Sequence, residues 1–156
     1  PVISEETDNR SVSRETTLEK DSFNPESLES VLSYLVEKVA SQLREDKLFA
    51  RSVTLKLRYS DFKTVTRCHT LRTATADDGV IFHVASALLR KLFTSCSGVR
   101  LIGISLSSLG RHRFKQMDLF DSVSLEQRGR LLQGIDHIRG KYGFHSILRA
   151  GSFHRE

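Results

Sequence analysis

Six basic side chains and a single acid are concentrated in one stretch of the chain, residues 51–73. The cations are Arg51, Lys56, Arg58, Lys63, Arg67 and Arg72, and the acid is Asp61. Serine and threonine side chains lie between them, and hydroxyls together with Lys and Arg are the groups that hold phosphate oxygens. The chemistry indicated by this stretch is therefore the binding of a polyanion.

Side chains that could make or break bonds are poorly placed in this sequence. Cys68 and His69 are neighbours in a predicted strand, where adjacent side chains point to opposite faces, so they cannot work as a nucleophile and its base. The six histidines do not have the spacing of a metal site, and two cysteines are too few to complete one. The acid pair Asp77-Asp78 is interpreted as the cap of a helix. The sequence thus predicts no catalytic residue and no metal site in this chain.

The basic stretch has the pattern of a β-hairpin. Residues 53–59 alternate between apolar side chains and Thr, Lys or Arg, which predicts a strand with one buried and one exposed face. Asp61 favours a turn, and residues 64–70 favour a second strand. A turn of undefined length leaves the register after Asp61 open, and with it the face on which Arg67 lies.

Two helices and two further strands surround this hairpin. A strand over residues 10–18 precedes a helix that starts at Asn24, its N-cap, and Pro25, and runs to about Asp46. A second helix begins after residues 75–79, and a fourth strand covers residues 99–107. The order β-α-β-β-α-β predicts an α+β, ferredoxin-like fold, a four-stranded antiparallel sheet with both helices on one face. The other face is left open for binding.

The two ends of the chain are expected to lie outside this domain, which we place at residues 10–109. Residues 1–9 are interpreted as a linker, 110–123 as a basic connector, and 124–156 as a helix and basic tail. Ser124 is the predicted N-cap of the last helix, and residues 144–156 are expected to lack a fixed structure in part. Two alternatives remain for the last helix: it packs on this domain or on a partner, or it is an appendage that folds only when a partner is bound.

Composition sets broad limits on the partners and the compartment. The chain has 156 residues with 38% apolar content, enough for one domain with a true core, and its net charge of +5 favours an acidic partner. Two cysteines fit a reducing cytoplasm, and no apolar run approaches the roughly 20 residues that span a bilayer. Because the chain begins Pro-Val, we expect it to be a fragment of a longer protein.

Four separated blocks of the sequence resemble a known family. They are R-S-V-S-R-E-T-T-L at 10–18, A-R-S-V-T-L-K-L-R-Y-S-D-F at 50–62, T-V-T-R-C-H-T-L at 64–71 and V-R-L-I-G-I-S-L at 99–106. In this order they look like the C-terminal little finger of Y-family translesion DNA polymerases, of the DinB or DNA polymerase IV type. The resemblance implies a βαββαβ domain whose open sheet face lies in the major groove of duplex primer–template DNA.

Parity in the strands and this resemblance together define the expected DNA-binding residues. They are Arg10, Ser11, Ser13, Arg14, Thr54, Lys56, Arg58, Arg67, Gly103, Ser105, Ser107, Arg111 and Arg113. Gly103 is expected to give room for close approach of the backbone. Hydroxyl and cation contacts to phosphates position DNA without reading its sequence, which suits an enzyme that copies damaged templates.

The resemblance also implies a second partner and a catalytic domain elsewhere. Residues 116–120, Gln116, Met117, Asp118, Leu119 and Phe120, look like the peptide by which bacterial polymerases dock on the DNA polymerase III beta sliding clamp. Leu119 and Phe120 would fill an apolar pocket of the clamp, or else pack on this domain's own core. The family's metal-binding carboxylates and their Mg²⁺ belong to an upstream palm domain, so this monomeric, non-membrane fragment is expected to be non-catalytic.

Two other functions share this topology. A single-stranded RNA-binding module would stack bases on aromatic side chains of the central strands, but residues 64–71 contain none. A ligand-sensing or oligomerising domain would carry an apolar open face, whereas the predicted face is charged. A preference for duplex over single strands separates the first alternative from DNA gripping.

Overall fold

The predicted order of elements is confirmed in the computed structural model of the chain, which describes residues 10–111 and 119–152. The elements are strand β1 (Val12–Ser22), helix α1 (Pro25–Glu45), strands β2 (Phe49–Tyr59) and β3 (Thr64–Thr75), helix α2 (Asp78–Leu92), strand β4 (Val99–Gly110) and helix α3 (Leu119–Tyr142). Two short 3-10 turns, Phe144–Ser146 and Ala150–Ser152, follow α3. All strand pairs are antiparallel, in the order β1-β4-β2-β3.

The helix starts follow from local sequence. The Asn24 side chain accepts a hydrogen bond from the Glu26 N–H at the start of α1, where Pro25 occupies the first helical position. Asp77 does the same for the Gly79 N–H at the start of α2. The interpretation of Asp77-Asp78 as a helix cap is therefore confirmed.

The core lies between one face of the sheet and the two helices. Leu55, Leu57, Ile102 and Ile104 from the central strands are buried against apolar side chains of α1 and α2. They alternate with polar residues on the opposite face, because successive strand residues point to opposite sides of a sheet. Helices α1 and α2 thus cover one face of the sheet, and the other face carries the polar set.

The C-terminal residues form a third layer, which the sequence predicted only as one of two alternatives. Helix α3 and the turns after it pack on the outer side of α1, where Ser152 lies buried and its hydroxyl donates to Glu37 at 2.6 Å. One prediction is wrong: helix α3 begins at Leu119, so Ser124 lies within it and does not cap it. Residues 144–152 have a defined structure with polar contacts to α1, and residues 153–156 lie outside the described residues.

Candidate nucleic-acid interface

The open face of the sheet is built from four rows of residues that pair directly across the strands. Direct partners in an antiparallel sheet place their side chains on the same face. From β1 to β3 the rows are Ser13, Ser105, Thr54 and Cys68; Glu15, Gly103, Lys56 and Thr66; Thr17, Leu101, Arg58 and Thr64; and, from β4 onward, Ser107, Ser52 and Thr70. We call this set the open face. It is rich in hydroxyl groups, and none of these paired residues is aromatic.

The two cations of the open face each have a partner within the sheet. Lys56 Nζ donates to Glu15 Oε2 at 3.1 Å, and Arg58 Nε donates to the Thr64 hydroxyl at 3.1 Å. The Lys56 side chain is 34% exposed and that of Glu15 is 54% exposed, so solvent and ligands reach both groups. The open face therefore offers one cation that is held by an acid and one that is held by a neutral hydroxyl.

The structure places seven of the predicted interface residues together on this face. They are Ser13, Thr54, Lys56, Arg58, Gly103, Ser105 and Ser107. The alternation of side chains within residues 10–18, 53–59 and 99–107 was sufficient to assign them to one face. The central part of the predicted site therefore exists as one surface.

Two predicted residues lie on the other side of the sheet. Arg67 pairs with Leu55 and Arg14 pairs with Ile104, so both point toward the side that the helices cover. For Arg67 the reason is the length of the turn after Asp61, which sets the register of β3. Arg14 has the same parity as Val12, so the alternation in β1 puts it on the helix side, and it donates to the Ser13 carbonyl at 2.9 Å.

The remaining predicted residues lie at the ends of strands or beyond them. Arg10 and Ser11 precede β1, where the strand register does not assign a face. Arg111 follows β4 and lines a cavity of about 830 Å³ between α1, the start of β2 and α3. Arg113, Gln116, Met117 and Asp118 lie outside the described residues, as do the side chains of Leu119 and Phe120.

Sequence reasoning missed several members of the open face. The missed hydroxyls are Thr17, Ser52, Thr64, Thr66 and Thr70. The most consequential omission is Glu15, which shares the parity of Ser13 and Thr17 and could have been found from that alternation. It matters because a carboxylate on a surface for polyanions opposes binding.

The groups considered for catalysis are separated as predicted. Cys68 pairs with Thr54 on the open face, whereas His69 pairs with Val53 on the opposite side, so the two side chains do not form a dyad. Within the described ranges, 10–111 and 119–152, no group of three or more His, Cys, Asp or Glu could hold a metal ion. In the same ranges no helix combines the length and hydrophobicity needed to cross a membrane.

Acid–arginine pairs join the C-terminal layer to the domain at the start of α2. Arg128 in α3 donates to both Asp77 oxygens, at 2.8 and 3.3 Å, and Arg149 donates to both Asp78 oxygens at 2.9 Å. Burial opposes ionisation of Asp77, but hydrogen bonds from Arg128 and the Gly79 N–H outweigh it and hold the pKa of Asp77 below its usual range. The hydrogen bond to Asp78 raises the pKa of Arg149.

A buried pair completes the attachment of the C-terminal layer. Arg139 Nη2 donates to Glu37 Oε1 at 3.2 Å, and the guanidinium lies over the Phe144 ring with its carbon 4.2 Å from the centroid. Both side chains are at most 5% exposed. Since this layer lies on α1, away from the open face, it leaves that face uncovered.

Comparison with known proteins assigns this architecture to a family. Residues 9–119 match the C-terminal domain of the impB/mucB/samB family, which is most of the chain. The chain belongs to this family. A DNA polymerase IV from Pelotomaculum thermopropionicum is 34% identical over 143 residues, which cover 92% of this chain and 35% of the relative. The chain spans about a third of the length of the curated relatives it matches.

Solved structures share the fold of this family domain. A complex of the beta-clamp processivity factor and the little finger domain of PolIV superimposes with a TM-score of 0.53 at 22% identity, over 70% of this chain and 98% of that one. An insertion ternary complex of Dbh DNA polymerase gives a TM-score of 0.58 at 17% identity, over 67% of this chain and 30% of that one. The family match, the DNA polymerase IV relatives and this shared fold together confirm the predicted resemblance to the Y-family little finger.

Proposed function

We propose that this chain is the DNA-gripping and clamp-docking part of an error-prone, lesion-bypass DNA polymerase of the cytoplasm. Its open face would lie in the major groove of duplex primer–template DNA and hold the phosphate backbone. The observation that carries this proposal is the composition of the open face, hydroxyls and cations without an aromatic side chain, on a domain of the impB/mucB/samB family. Nucleotidyl transfer, with its Mg²⁺, would belong to a part of the parent outside this chain.

The chemistry of the open face suits contacts that ignore base sequence. Ser and Thr hydroxyls and the cations Lys56 and Arg58 are donors to phosphate oxygens, which fix the position of a duplex without reading its bases. Stacking of unpaired bases needs aromatic side chains, which the paired rows of the open face do not supply. The face therefore favours duplex DNA over a single-stranded RNA ligand. Arg14 and Arg67 have no part in this proposal.

The test of the DNA proposal is the salt dependence of duplex binding. Each phosphate neutralised contributes a slope of about −0.9 to log affinity against log salt, so Lys56→Ala with Arg58→Ala is expected to make the slope shallower by up to about 1.8. The matched control is Arg90→Ala with Lys91→Ala, which removes the same charge from exposed side chains at the end of α2. Fluorescence anisotropy with one duplex over a range of salt concentrations measures both slopes. Equal slopes for the two double variants would contradict the proposal.

Clamp docking is proposed through residues 116–120. Support comes from the peptide's sequence, Q-M-D-L-F, and from the shared fold with the little finger domain of PolIV that was solved in complex with its beta clamp. Leu119 and Phe120 would be the apolar anchors and Gln116 the orienting group.

Loss of these anchors is expected to abolish clamp binding alone. Leu119→Ala with Phe120→Ala should remove retention of the chain on immobilised sliding clamp, because most interface energy resides in a few buried apolar side chains. Duplex affinity should stay within about twofold, since the open face is unchanged. Retention of the double variant at the wild-type level would reject residues 116–120 as the docking peptide.

A further inference from the structure

An ion pair lies across the middle of the open face. Lys56 in β2 and Glu15 in β1 are not neighbours; both pair with Gly103 of β4, which lies between them. Neighbouring strands are about 4.8 Å apart, so the two side chains must bridge two strand spacings to meet at 3.1 Å. Because Gly103 has no side chain, nothing from β4 stands between them. A Cβ at Gly103 would lie 2.9 Å from the Cβ of Glu15.

This pair contributes little to holding the sheet together. Exposed ion pairs are worth about 0–1 kcal/mol, and these side chains are 34% and 54% exposed. Strand β1 is held by its backbone ladder to β4, which runs from Val12 to Thr17 and closes again at Ser22. A role of Glu15 in stability is therefore minor, and its position beside a phosphate-binding cation needs another explanation.

Glu15 is also the one acid among the paired residues of the open face. In the part of the chain that the structure describes, the other Lys or Arg of those rows, Arg58, has the Thr64 hydroxyl as its hydrogen-bond partner. A phosphate that approaches Arg58 meets no carboxylate partner in its own row, whereas a phosphate that approaches Lys56 must displace the carboxylate of Glu15.

We propose that Glu15 is a built-in competitor of DNA: its carboxylate occupies Lys56 when no duplex is bound and lowers the affinity of the open face. This inference rests on the proposed DNA-binding function. When a phosphate binds Lys56, the Glu15 carboxylate stays in the same row and cancels part of the attraction between the open face and the phosphate. The open face then binds DNA as though it carried up to one cation fewer, which lowers the affinity of a domain that must release DNA.

The expected size of the effect follows from counterion release. Removing the negative charge of Glu15 gives the open face up to one more effective positive charge, which makes the slope of log affinity against log salt steeper by up to about 0.9. With equal affinities at 1 M salt, this corresponds to a gain of at most about 15-fold at 50 mM and about fourfold at 200 mM salt. Glu15→Gln keeps the size of the side chain and one acceptor oxygen, and replaces the charged carboxylate by a neutral amide.

The experiment compares Glu15→Gln with Glu29→Gln in duplex binding over a range of salt concentrations. Glu29 is the matched control: it pairs with the exposed Arg90 at 3.4 Å, its own half-buried side chain also accepts from the Ser86 hydroxyl, and Glu29 and Arg90 belong to the helices that cover the opposite face. We expect Glu15→Gln to bind more tightly and with a steeper slope than Glu29→Gln. In a Lys56→Ala background the gain from Glu15→Gln over Glu29→Gln should be smaller, because the carboxylate then has no cation to occupy and opposes the duplex by its charge alone.

The outcomes separate this inference from the function on which it rests. If the Lys56 and Arg58 double variant keeps the slope of its control, the open face is not the interface and the proposed function fails. If that slope falls but Glu15→Gln matches Glu29→Gln, or binds more weakly than wild type, the function stands and the competitor role is overturned. Weaker binding would mean that Glu15 positions Lys56 for DNA.

Discussion

At the scale of single residues, Gly103 shows how one position shapes the centre of the face. The sequence predicted that its missing side chain gives room to an approaching backbone. In the structure that room is used by the protein itself, because Lys56 and Glu15 meet across it. The glycine is buried and needs no special backbone angle, so its requirement is one of space.

Adding a methyl group at Gly103 is expected to destabilise the domain. Gly103→Ala would place a Cβ 2.9 Å from the Glu15 Cβ, on backbone that cannot move without disturbing the ladder, and such overpacking costs about 1–3 kcal/mol. The control is Gly134→Ala in α3, where nothing lies within 4 Å and the helix should gain roughly 0.5–1 kcal/mol. Urea unfolding monitored by circular dichroism measures both. A Gly103→Ala variant that is more stable than wild type would contradict this prediction, because it would show that β1 shifts to accommodate the added methyl group at little cost.

At the scale of elements, the start of α2 joins the domain to its C-terminal layer. Asp77 caps the helix and also pairs with Arg128 of α3. Because its pKa is lower in the folded chain than in the unfolded one, the pair adds stability at every pH above the unfolded value of about 3.9. That stability is lost as the pH falls through the lower, folded pKa.

Asp77→Asn is expected to flatten the acid branch of the stability profile. Asn caps a helix as well as Asp does, so the variant loses the charge pair and keeps the cap. The loss at neutral pH should be about 1 kcal/mol, since Arg128 is 40% exposed. The difference from wild type should shrink as the pH falls below about 4 and vanish once the pH lies below the lowered pKa of folded Asp77. Urea titrations across this pH range measure it, with Asp77→Ala as the variant that loses cap and pair. Parallel pH profiles for wild type and Asp77→Asn would contradict the assignment.

At the scale of the whole molecule, the sequence determined the sheet domain far better than the layer added to it. Alternation in β2 and β4 and the caps at Asn24 and Asp77 are local signals, so the order of elements and the centre of the open face could be predicted. The face of Arg67 depended on turn length, which a one-residue slip reverses.

The packing of the C-terminal layer could not be predicted for a different reason. Arg139 meets Glu37 more than a hundred residues earlier in the chain. Nothing local distinguishes this arginine from the many exposed ones, so the contact exists only once the whole chain is folded.

The most direct test of the account is to map the duplex-binding surface of the chain by NMR. Titration of the ¹⁵N-labelled chain with a short DNA duplex should shift amide signals along the open face, in β2 and β4 around Lys56, Arg58 and Ser105. Signals of α2 and of the C-terminal layer around Arg139 should remain in place, because the sheet separates α2 from that face and both the sheet and α1 separate the C-terminal layer from it. Shifts confined to α3 and the turns after it, with β2 and β4 unchanged, would contradict the claim that the open face holds DNA.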